Sequence, residues 1–372
     1  MSAAAEFAPP PTFPFLRSAG SPFEVGRAHG AAFGDQINGS IALYREQFAD
    51  LGFEWHQALE VAASAGASLS AFDRALGEEL EGIAAGADVD PREILAINVR
   101  TGVIRSSEKQ ASKLFEAECT TSAVLPEVTA DGHTLLAQNW DQRLACQPNT
   151  VIIEQHTAGE PAILFVTEAG ILFRHGMNDR GIGVVGNALR SDRELAGDAG
   201  LPPPVARRRA LRTDTLLDAR QAIDMTPRSH SANHLVADAA GTAVDLEAVP
   251  GETFPVDPAD GVLVHSNHFL NPVACETVAD QGPSAHPDTL YRVSRLRQAI
   301  AAKSGSVSVA DMQEALRDHH GLPKAVCRHA EDYSAPKAGI TVSSSVMDLN
   351  DGRMWIAPGP PCLNDYTEYA FS

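Results

Sequence analysis

The stretch ECTTSAV (residues 118–124), followed by QNWD (residues 138–141), divides the chain into two parts of different character. Upstream of Cys119 the apolar residues recur with helical spacing, whereas downstream of it strand-like segments dominate, with helices inserted between them. A chain break at this change of pattern would disturb the fold least. We therefore predict that Cys119 becomes a new N-terminus and then acts as a catalytic nucleophile.

Elementary acid–base chemistry supports this role for Cys119. The thiolate is the reactive form of cysteine, and a free thiol titrates near pH ~8.5. Such a nucleophile usually needs a neighbouring base, and an α-amine, which titrates near ~7.7–8.0, can serve as one. Once the preceding peptide bond is cut, Cys119 would supply both groups. The alternative is an ordinary buried cysteine at the start of a strand, because unpaired cysteine is among the most buried residue types.

The two motifs are predicted to form a β-hairpin. Residues 119–125 are rich in strand-forming types, Asp131-Gly132 is a turn signal, and residues 133–139 return as a second strand. Asp141 then lies just beyond the second strand, near the level at which Cys119 begins the first. A carboxylate in that place would hold and orient the new ammonium group.

Further short motifs lie along the chain on both sides of this hairpin. In order, the motifs are GRAHG (26–30), EGIAAG (81–86), CTT (119–121), QNWD (138–141), TEAG (167–170), GIGV (181–184), NAL (187–189), HSNHF (265–269) and CRH (327–329). Together they resemble the acyl-coenzyme A:isopenicillin N (6-aminopenicillanic acid) acyltransferase family of the N-terminal-nucleophile hydrolase superfamily. The resemblance covers residues 20–365, and its specificity comes from the order and content of all the motifs.

The resemblance implies an α+β fold with four layers (αββα), in which two antiparallel sheets lie between helices. It also implies self-cleavage between Glu118 and Cys119. The products would be a helical α chain (residues 1–118) and a β chain (residues 119–372) that remain one domain as a heterodimer. The residue before the nucleophile is glycine in the fungal enzyme, whereas here it is Glu118. A bulky, charged residue there is expected to slow cleavage or to require different local strain.

The resemblance also implies a set of site residues. Asp141 falls at the position that anchors the amine of the nucleophile. Related bile salt hydrolases and penicillin V acylases complete the site with two asparagines and an arginine, and Asn187, Asn267 and Arg328 fall at similar positions. The asparagines would donate to an oxyanion, and the arginine would lower the pKa of the thiol or hold a carboxylate. Substrate contacts are predicted for three residues in or beside the same motifs: Thr121, Trp140 and His268.

Composition limits the classes of partner. The chain has 372 residues, 44% of them hydrophobic, and a net charge of −19. This charge argues against nucleic acid or an anionic membrane as the main partner. The five cysteines show no C-x-x-C spacing and are predicted to be reduced thiols, so we expect a cytoplasmic protein. We expect no signal peptide, no membrane span and no cofactor. Because no third ligand accompanies His265 and His268, we also expect no metal.

Three segments complete the sequence-based picture. Residues 106–117 are predicted to be a flexible linker that presents the cleavage point to the active site. Residues 202–204 are a run of prolines, predicted to be a stiff connector. Arg207-Arg208-Arg209 follows at a helix start, and we expect a solvated helix face there, with coenzyme A phosphates as the alternative partner.

The sequence therefore predicts a self-cleaving enzyme that hydrolyses a linear amide of a small molecule through a thioester. One alternative is an acyl-coenzyme A-dependent N-acyltransferase. Another is an uncleaved, inactive relative that binds a small amide, and a metal-dependent hydrolase is the last. A higher oligomer is compatible with each of these possibilities.

Overall fold

The computed structural model describes residues 10–105, 118–195 and 200–372. The predicted linker at 106–117 lies outside these residues. The N-terminal part contains one strand, β1 (Phe15–Gly20), followed by six helices: α1 (Pro22–Ala32), α2 (Gly34–Asp50), α3 (Trp55–Phe72), α4 (Arg74–Ala87), α5 (Pro91–Asn98) and α6 (Arg100–Arg105). None of the described helices combines the length and the apolar character needed to cross a membrane.

Helices α1 and α4 pack with their backbones in contact. A Cβ atom built on Gly26 would lie 2.1 Å from the carbonyl oxygen of Glu79, and one built on Gly86 would lie 2.2 Å from that of Arg27. Glycine is therefore required on both helices, because any side chain at these positions would separate them. The helix pair forms a rigid part of the outer layer, and His29 on α1 accepts a hydrogen bond from the Gly170 amide at 3.0 Å.

The larger sheet, sheet A, has eight strands in the order β1-β4-β5-β6-β7-β8-β9-β10. Its strands after β1 are β4 (Thr150–Thr157), β5 (Ile163–Glu168), β6 (His175–Asn178), β7 (Ile182–Val185), β8 (Ala232–Asp238), β9 (Ala243–Val249) and β10 (Glu252–Val256). The pairs are antiparallel except that β1 runs parallel to β4. The expectation of two antiparallel sheets therefore needs this one correction.

The smaller sheet, sheet B, has six strands in the order β11-β2-β3-β12-β13-β14. Its strands are β2 (Glu118–Val124), β3 (Leu135–Arg143), β11 (Val262–His265), β12 (Gly339–Asp348), β13 (Arg353–Pro358) and β14 (Thr367–Ala370). The predicted hairpin is β2–β3. However, β3 is longer than predicted, so Asp141 lies within the strand and pairs directly with Glu118 instead of following the strand.

The remaining helices complete the outer layers. They are a 3₁₀ helix (Leu144–Asn149), α7 (Pro203–Ala210), α8 (Leu216–Asp224), α9 (Pro272–Thr277), α10 (Gly282–Ala285), α11 (Thr289–Ala301) and α12 (Val309–Ala315). Helix α7 begins within the proline run, so only its first residues are a connector. This is physically reasonable because proline fits the first turn of a helix, where no amide donor is needed.

Three apolar clusters define the layers. One joins the N-terminal helices, α7 and α8 to sheet A, a second fills the space between the two sheets, and a third joins α11 and α12 to sheet B. The second cluster contains Ala123 and Leu136 from sheet B and Ile152 and Leu164 from sheet A. The order helix–sheet–sheet–helix confirms the predicted αββα fold.

Candidate active site

The site is built around the first residues of β2, whose side chains alternate between two environments. Cys119 pairs with Trp140 on β3, and Glu118 pairs with Asp141. Directly opposed residues of an antiparallel pair share a face, and successive residues alternate. The Cys119 and Trp140 side chains therefore lie on the face towards sheet A. Those of Glu118 and Asp141 lie on the face towards α11 and α12.

The other neighbour of β2 ends early, and this leaves the backbone of Cys119 available to side chains. Strand β11 pairs with β2 only as far as His265 opposite Thr121. Beyond that point Asn267 takes over: the Cys119 amide donates to its Oδ1 at 3.1 Å. The Cys119 carbonyl accepts from Asn187 Nδ2 at 3.0 Å and from Arg292 Nη1 at 2.7 Å. Side chains from three separate elements thus hold this one residue.

The orientation of Asn187 is fixed by its own neighbours. Its Oδ1 accepts from Thr121 Oγ1 at 2.8 Å and from Asn233 Nδ2 at 3.0 Å. With the oxygen occupied in this way, the amide nitrogen must point at Cys119. Asn267 has the opposite orientation: its oxygen faces the nitrogen of Cys119, while its own Nδ2 donates to the Ala188 carbonyl at 2.9 Å.

The thiol of Cys119 is buried, with 3% of the residue exposed. Burial raises the pKa of Cys119 to about 11, and the Asp141 carboxylate adds to this rise. Arg207 and hydrogen bonds from the Asp141 backbone and the Gln138 side chain oppose it. In the intact chain the thiol is therefore protonated at neutral pH, and formation of the reactive thiolate requires a base.

The opposite face of β2 carries a buried group of charged residues, which we call the Glu118 ion cluster: Glu118, His286, Asp288, Arg292 and Arg328. The Glu118 carboxylate contacts Arg328, Arg292 Nη2 at 3.1 Å and His286 Nδ1 at 2.9 Å. Asp288 bridges the two arginines at 3.0 and 2.8 Å. Burial alone would raise the pKa of Glu118, but Arg328, His286 and Arg292 lower it well below its usual range.

Asp141 lies beside this cluster at the level of the Glu118–Cys119 peptide bond. Its Oδ1 accepts from Thr341 Oγ1 at 2.8 Å, and its Oδ2 lies 3.4 Å from Arg328 Nε. Burial raises the pKa of Asp141 to about 7, although Arg328 and Arg292 oppose that shift. Asp141 is thus able to gain or lose a proton close to neutral pH.

The structure brings together most of the residues chosen from the sequence. Asp141, Asn187, Asn267 and Arg328 all lie around Glu118 and Cys119, and Thr121 and Trp140 flank the thiol on its own face. His268 contacts Cys119 only indirectly. Its Nδ1 is 2.9 Å from Thr289 Oγ1, and this hydroxyl accepts a hydrogen bond from the backbone N–H of Asn267. This places His268 behind Asn267, and its contact with substrate stays a prediction.

Sequence analysis missed four residues that touch the site: Gln138, His286, Asp288 and Arg292. Gln138 is the first residue of the QNWD motif, but a polar residue in a strand does not by itself indicate a site. Asp288 and Arg292 are four residues apart at a helix start, which indicates an ion pair but not its location. Only the register of α11 against sheet B brings Arg292 to the Cys119 carbonyl.

The run of arginines at 207–209 does not form the solvated face predicted for it. Arg207 and Arg208 are buried, and Arg208 pairs with Glu79 at 2.9 Å. Arg209 lies 3.5 Å from Asp73. These cations hold α7 against α4 and sheet A, and the carboxylates beside Arg208 and Arg209 would compete with a phosphate group.

The model of one protein family, acyl-coenzyme A:6-aminopenicillanic acid acyl-transferase, matches residues 128–361. The chain belongs to this family. The matched segment begins after Cys119 and contains Asp141, Asn187, Asn267 and Arg328. A curated relative is similar: the acyl-coenzyme A:6-aminopenicillanic-acid-acyltransferase 40 kDa form of Emericella nidulans is 29% identical over 300 residues, which span 78% of this chain and 76% of the relative.

Solved structures similar to this family member include a variant of conjugated bile acid hydrolase from Clostridium perfringens. It is 15% identical, with a TM-score of 0.45, and the match covers 68% of this chain and 97% of that chain. The N-acylethanolamine-hydrolyzing acid amidase ortholog of Caenorhabditis elegans is 16% identical, with a TM-score of 0.45, over 68% of this chain and 100% of that chain.

Proposed function

We propose that this acyltransferase-family chain cleaves itself between Glu118 and Cys119, and that the resulting enzyme hydrolyses a linear amide of a small molecule. The observation that carries the proposal is the set of hydrogen bonds on Cys119. Asn267 holds its nitrogen, Asn187 and Arg292 hold its carbonyl, and a buried ion cluster holds the preceding side chain. An ordinary core cysteine would not need this number of polar groups around its backbone.

The proposed self-cleavage step uses the thiol next to the peptide bond that breaks. The Cys119 sulfur attacks the carbonyl carbon of Glu118, the C–N bond between the two residues breaks, and the thiol proton moves to the departing nitrogen. That nitrogen becomes the α-amine. Water then attacks the thioester, which leaves a carboxylate on Glu118 and restores the thiol. Residues 1–118 and 119–372 form the two chains of a heterodimer.

In turnover, the new α-amine takes the thiol proton and the thiolate attacks the amide carbonyl of the substrate. The amine returns the proton to the leaving nitrogen, and water hydrolyses the thioester. Asn187 donates to the oxyanion, as its fixed Nδ2 orientation favours. The geometry supports a different role for Asn267 from the predicted oxyanion donor, because its oxygen faces the nitrogen that would become the amine. Asp141 and Arg328 set the charge beside that amine.

Two features support a substrate-binding region on the thiol face. The Trp140 indole nitrogen is buried without a hydrogen-bond partner among the described residues, so it is a donor available to a ligand. A surface pocket of about 520 Å³ lies next to this region: Leu144 and Tyr333 line it and also pack against the apolar cluster of Cys119 and Trp140, but Cys119 and Trp140 are not among the residues that line it. Together they fit an amide whose acyl group is partly apolar.

Acyl transfer is the second candidate, because the family model and the Emericella nidulans relative are both named for it. Both reactions pass through an acyl thioester on Cys119. They differ only in whether water or an amine attacks that thioester. An acyl-coenzyme A thioester offered with and without 6-aminopenicillanic acid separates them. Consumption of the thioester only when the amine is present would favour the transferase. Amide hydrolysis in the absence of coenzyme A would favour the hydrolase.

The primary test is the intact mass of the purified protein under denaturing, reducing conditions, beside a Cys119→Ala variant. We expect two chains, corresponding to residues 1–118 and 119–372, in the wild type and one full-length chain in the variant. A single full-length chain in both would contradict the α-amine mechanism. It would favour the third possibility, an uncleaved relative that binds a small amide.

A further inference from the structure

Four potential metal ligands meet on the outer side of the molecule: His319, Cys327, His329 and Cys362. Their donor atoms all lie within 4.8 Å of one another. The first three belong to the segment between α12 and β12, and Cys362 lies between β13 and β14. Because the sequence separates Cys362 from the others by more than thirty residues, no metal-binding spacing was recognisable in it.

The distances between the donors match a tetrahedral site. Cys327 Sγ lies 3.6 Å from Cys362 Sγ and 3.5 Å from His329 Nε2, while His329 Nε2 lies 3.2 Å from Cys362 Sγ and 3.3 Å from His319 Nε2. With Zn–S bonds of ~2.3 Å and Zn–N bonds of ~2.0–2.1 Å, a tetrahedron has S···S, S···N and N···N edges of about 3.8, 3.6 and 3.4 Å. The four distances given above agree with these edges to within a few tenths of an ångström, and the other two donor pairs lie within 4.8 Å.

The surroundings of His329 also suit a ligand. Its Nδ1 lies 2.7 Å from the Tyr333 hydroxyl, on the side of the ring away from the cluster. A proton on Nδ1 that is donated to Tyr333 leaves the Nε2 lone pair directed at the sulfur atoms. Ligating histidines usually have such a partner on the second nitrogen, because it fixes the ring and the tautomer.

We propose that His319, Cys327, His329 and Cys362 bind one divalent zinc-class cation. Two sulfur and two nitrogen donors in a tetrahedron are typical of zinc, and four protein ligands leave no position for a substrate, so the site is structural. Binding requires both thiols as thiolates, and it therefore releases the protons that they carry. The site lies on the helix-layer side of sheet B, away from the Cys119 thiol.

The cation would hold the segment that carries Arg328. Residues 316–338 contain no described helix or strand, and segments of that length without regular structure usually have a function or an added restraint. Arg328 lies between two of the ligands in the sequence and contacts Glu118 and Asp141. The metal would thus position the arginine of the active site without touching substrate.

The first test is the metal content of protein purified without chelators, measured by inductively coupled plasma mass spectrometry. The Cys119→Ala background removes cleavage and the catalytic thiol as variables. In that background we expect about one zinc per chain, and less than about 0.1 in Cys362→Ser and His329→Ala. Matched controls are Cys275→Ser and His320→Ala, an exposed cysteine and an exposed histidine outside the cluster, which should retain the full content.

Cobalt(II) titration of the metal-stripped, reduced parent protein provides a test that does not depend on the folding of the variants. A tetrahedral site with two thiolates should give intense visible absorption that saturates at about one equivalent and disappears when zinc is added. Tyr333→Phe should weaken cobalt binding by about 10–100-fold while keeping the spectrum. Absence of both zinc and the cobalt absorption would overturn the proposal, as would a Cys327–Cys362 disulfide in freshly purified protein.

Discussion

The two faces of strand β2 differ although they are one residue apart. On the face of Cys119 and Thr121, which we call the neutral face, the groups that hydrogen-bond directly are the Gln138 and Asn187 amides and the Thr121 hydroxyl, and the cations Arg174 and Arg207 lie behind them. On the face of Glu118, three carboxylates (Glu118, Asp141 and Asp288) and two arginines lie together in the same buried space, which we call the charged face. The ion pairs are therefore concentrated on the side chain of the residue before the nucleophile, whereas the side-chain hydrogen bonds on the thiol face come from neutral groups.

The two faces of β2 are therefore suited to different roles: one positions the strand and the other controls the protonation of the thiol. Buried charges are costly unless each is paired, so the Glu118 ion cluster fixes the strand in one register. The neutral face leaves the thiol protonated, with its pKa raised by burial. On the proposed mechanism, such a precursor can make one intramolecular attack on the Glu118 carbonyl and turns over substrate only after that attack has released the α-amine. The following four predictions test the comparison, beginning with the largest expected effect.

The largest effect is expected on the neutral face. Asn187→Ala removes the only amide whose nitrogen is described as donating to the Cys119 carbonyl. Loss of one oxyanion donor typically costs ~2.7–4 kcal/mol of transition-state stabilisation, so kcat on an acyl amide should fall by about 10²–10³. KM should change much less. Steady-state kinetics of the processed enzyme measure both constants.

The matched control for Asn187→Ala is Asn178→Ala. Asn178 is also a buried amide of sheet A, but its Nδ2 holds the carbonyls of Leu211 and Thr213. Asn178→Ala should therefore lower the free energy of unfolding without changing kcat of the folded enzyme. An Asn187→Ala enzyme with unchanged kcat would remove Asn187 from the oxyanion site and end the proposed role of the neutral face.

The second prediction addresses the charged face. In the Cys119→Ala background, Glu118→Gln leaves Arg292 and Arg328 buried with fewer carboxylates. Removing one partner of a buried ion pair typically costs ~3–5 kcal/mol, and because Asp288 and Asp141 remain, we expect about 3 kcal/mol. Guanidinium denaturation gives the free energy of unfolding of both variants.

The control for Glu118→Gln is Glu78→Gln, which breaks an exposed ion pair with Arg74 on α4. Exposed pairs of this kind contribute under about 0.5 kcal/mol. Equal losses in the two variants would show that the Glu118 ion cluster does not stabilise the precursor. The charged face would then be no more important than the protein surface.

The four layers were predicted through the resemblance to a family, whereas local sequence patterns predicted individual strands. The strand-forming residues at 119–125 identified β2 to within one residue of its observed bounds, Glu118–Val124. Strand β1 was missed because a short, half-exposed edge strand has no clear alternation, and its pairing with β4 is a long-range event. Arg292 was missed for the same reason, because its contact with Cys119 joins residues that are far apart in the sequence.

The candidate site residues were chosen for a different reason. Motifs identified the five candidate residues Cys119, Asp141, Asn187, Asn267 and Arg328. The motifs do not indicate which atom of each side chain faces the nucleophile. That Asn187 presents nitrogen and Asn267 presents oxygen follows from neighbours such as Thr121, Asn233 and Ala188, which only the folded chain brings near. The division between a neutral and a charged face also required the register of β2 against β3.

The third prediction concerns the proton on Asp141, on the charged face. Its pKa is about 7 in the folded chain against 3.8 unfolded, so between these values the folded state binds more protons. Stability from this group is therefore present at low pH and lost as the pH rises towards 7, with a slope of up to about 1.4 kcal/mol per pH unit. Glu118, whose pKa is lowered, has the opposite sign but acts only below its unfolded value of 4.5.

The measurement is the free energy of unfolding from pH 5 to 7 for Cys119→Ala with and without Asp141→Asn. We expect the protein that keeps Asp141 to lose roughly 1–2 kcal/mol relative to the Asn variant over this range. Taking the difference cancels the titration of other groups, such as Asp245 and His265. Parallel profiles would mean that Asp141 keeps one protonation state throughout, and it could not respond to a new amine beside it.

The smallest effect distinguishes the faces by two adjacent threonines. Thr121→Val removes a donor to Asn187 Oδ1, whereas Asn233 still holds that oxygen, so the amide should be misoriented only part of the time. A lost neutral hydrogen bond of about 1 kcal/mol corresponds to a roughly fivefold fall in kcat, with KM little changed.

The control is Thr120→Val, which removes one of the acceptors of Arg292 Nη1 on the charged face. Its main effect should be a lower free energy of unfolding. If Thr120→Val lowered kcat more than Thr121→Val, the arginine would be the stronger influence on the carbonyl of Cys119, and the two faces would act as one site.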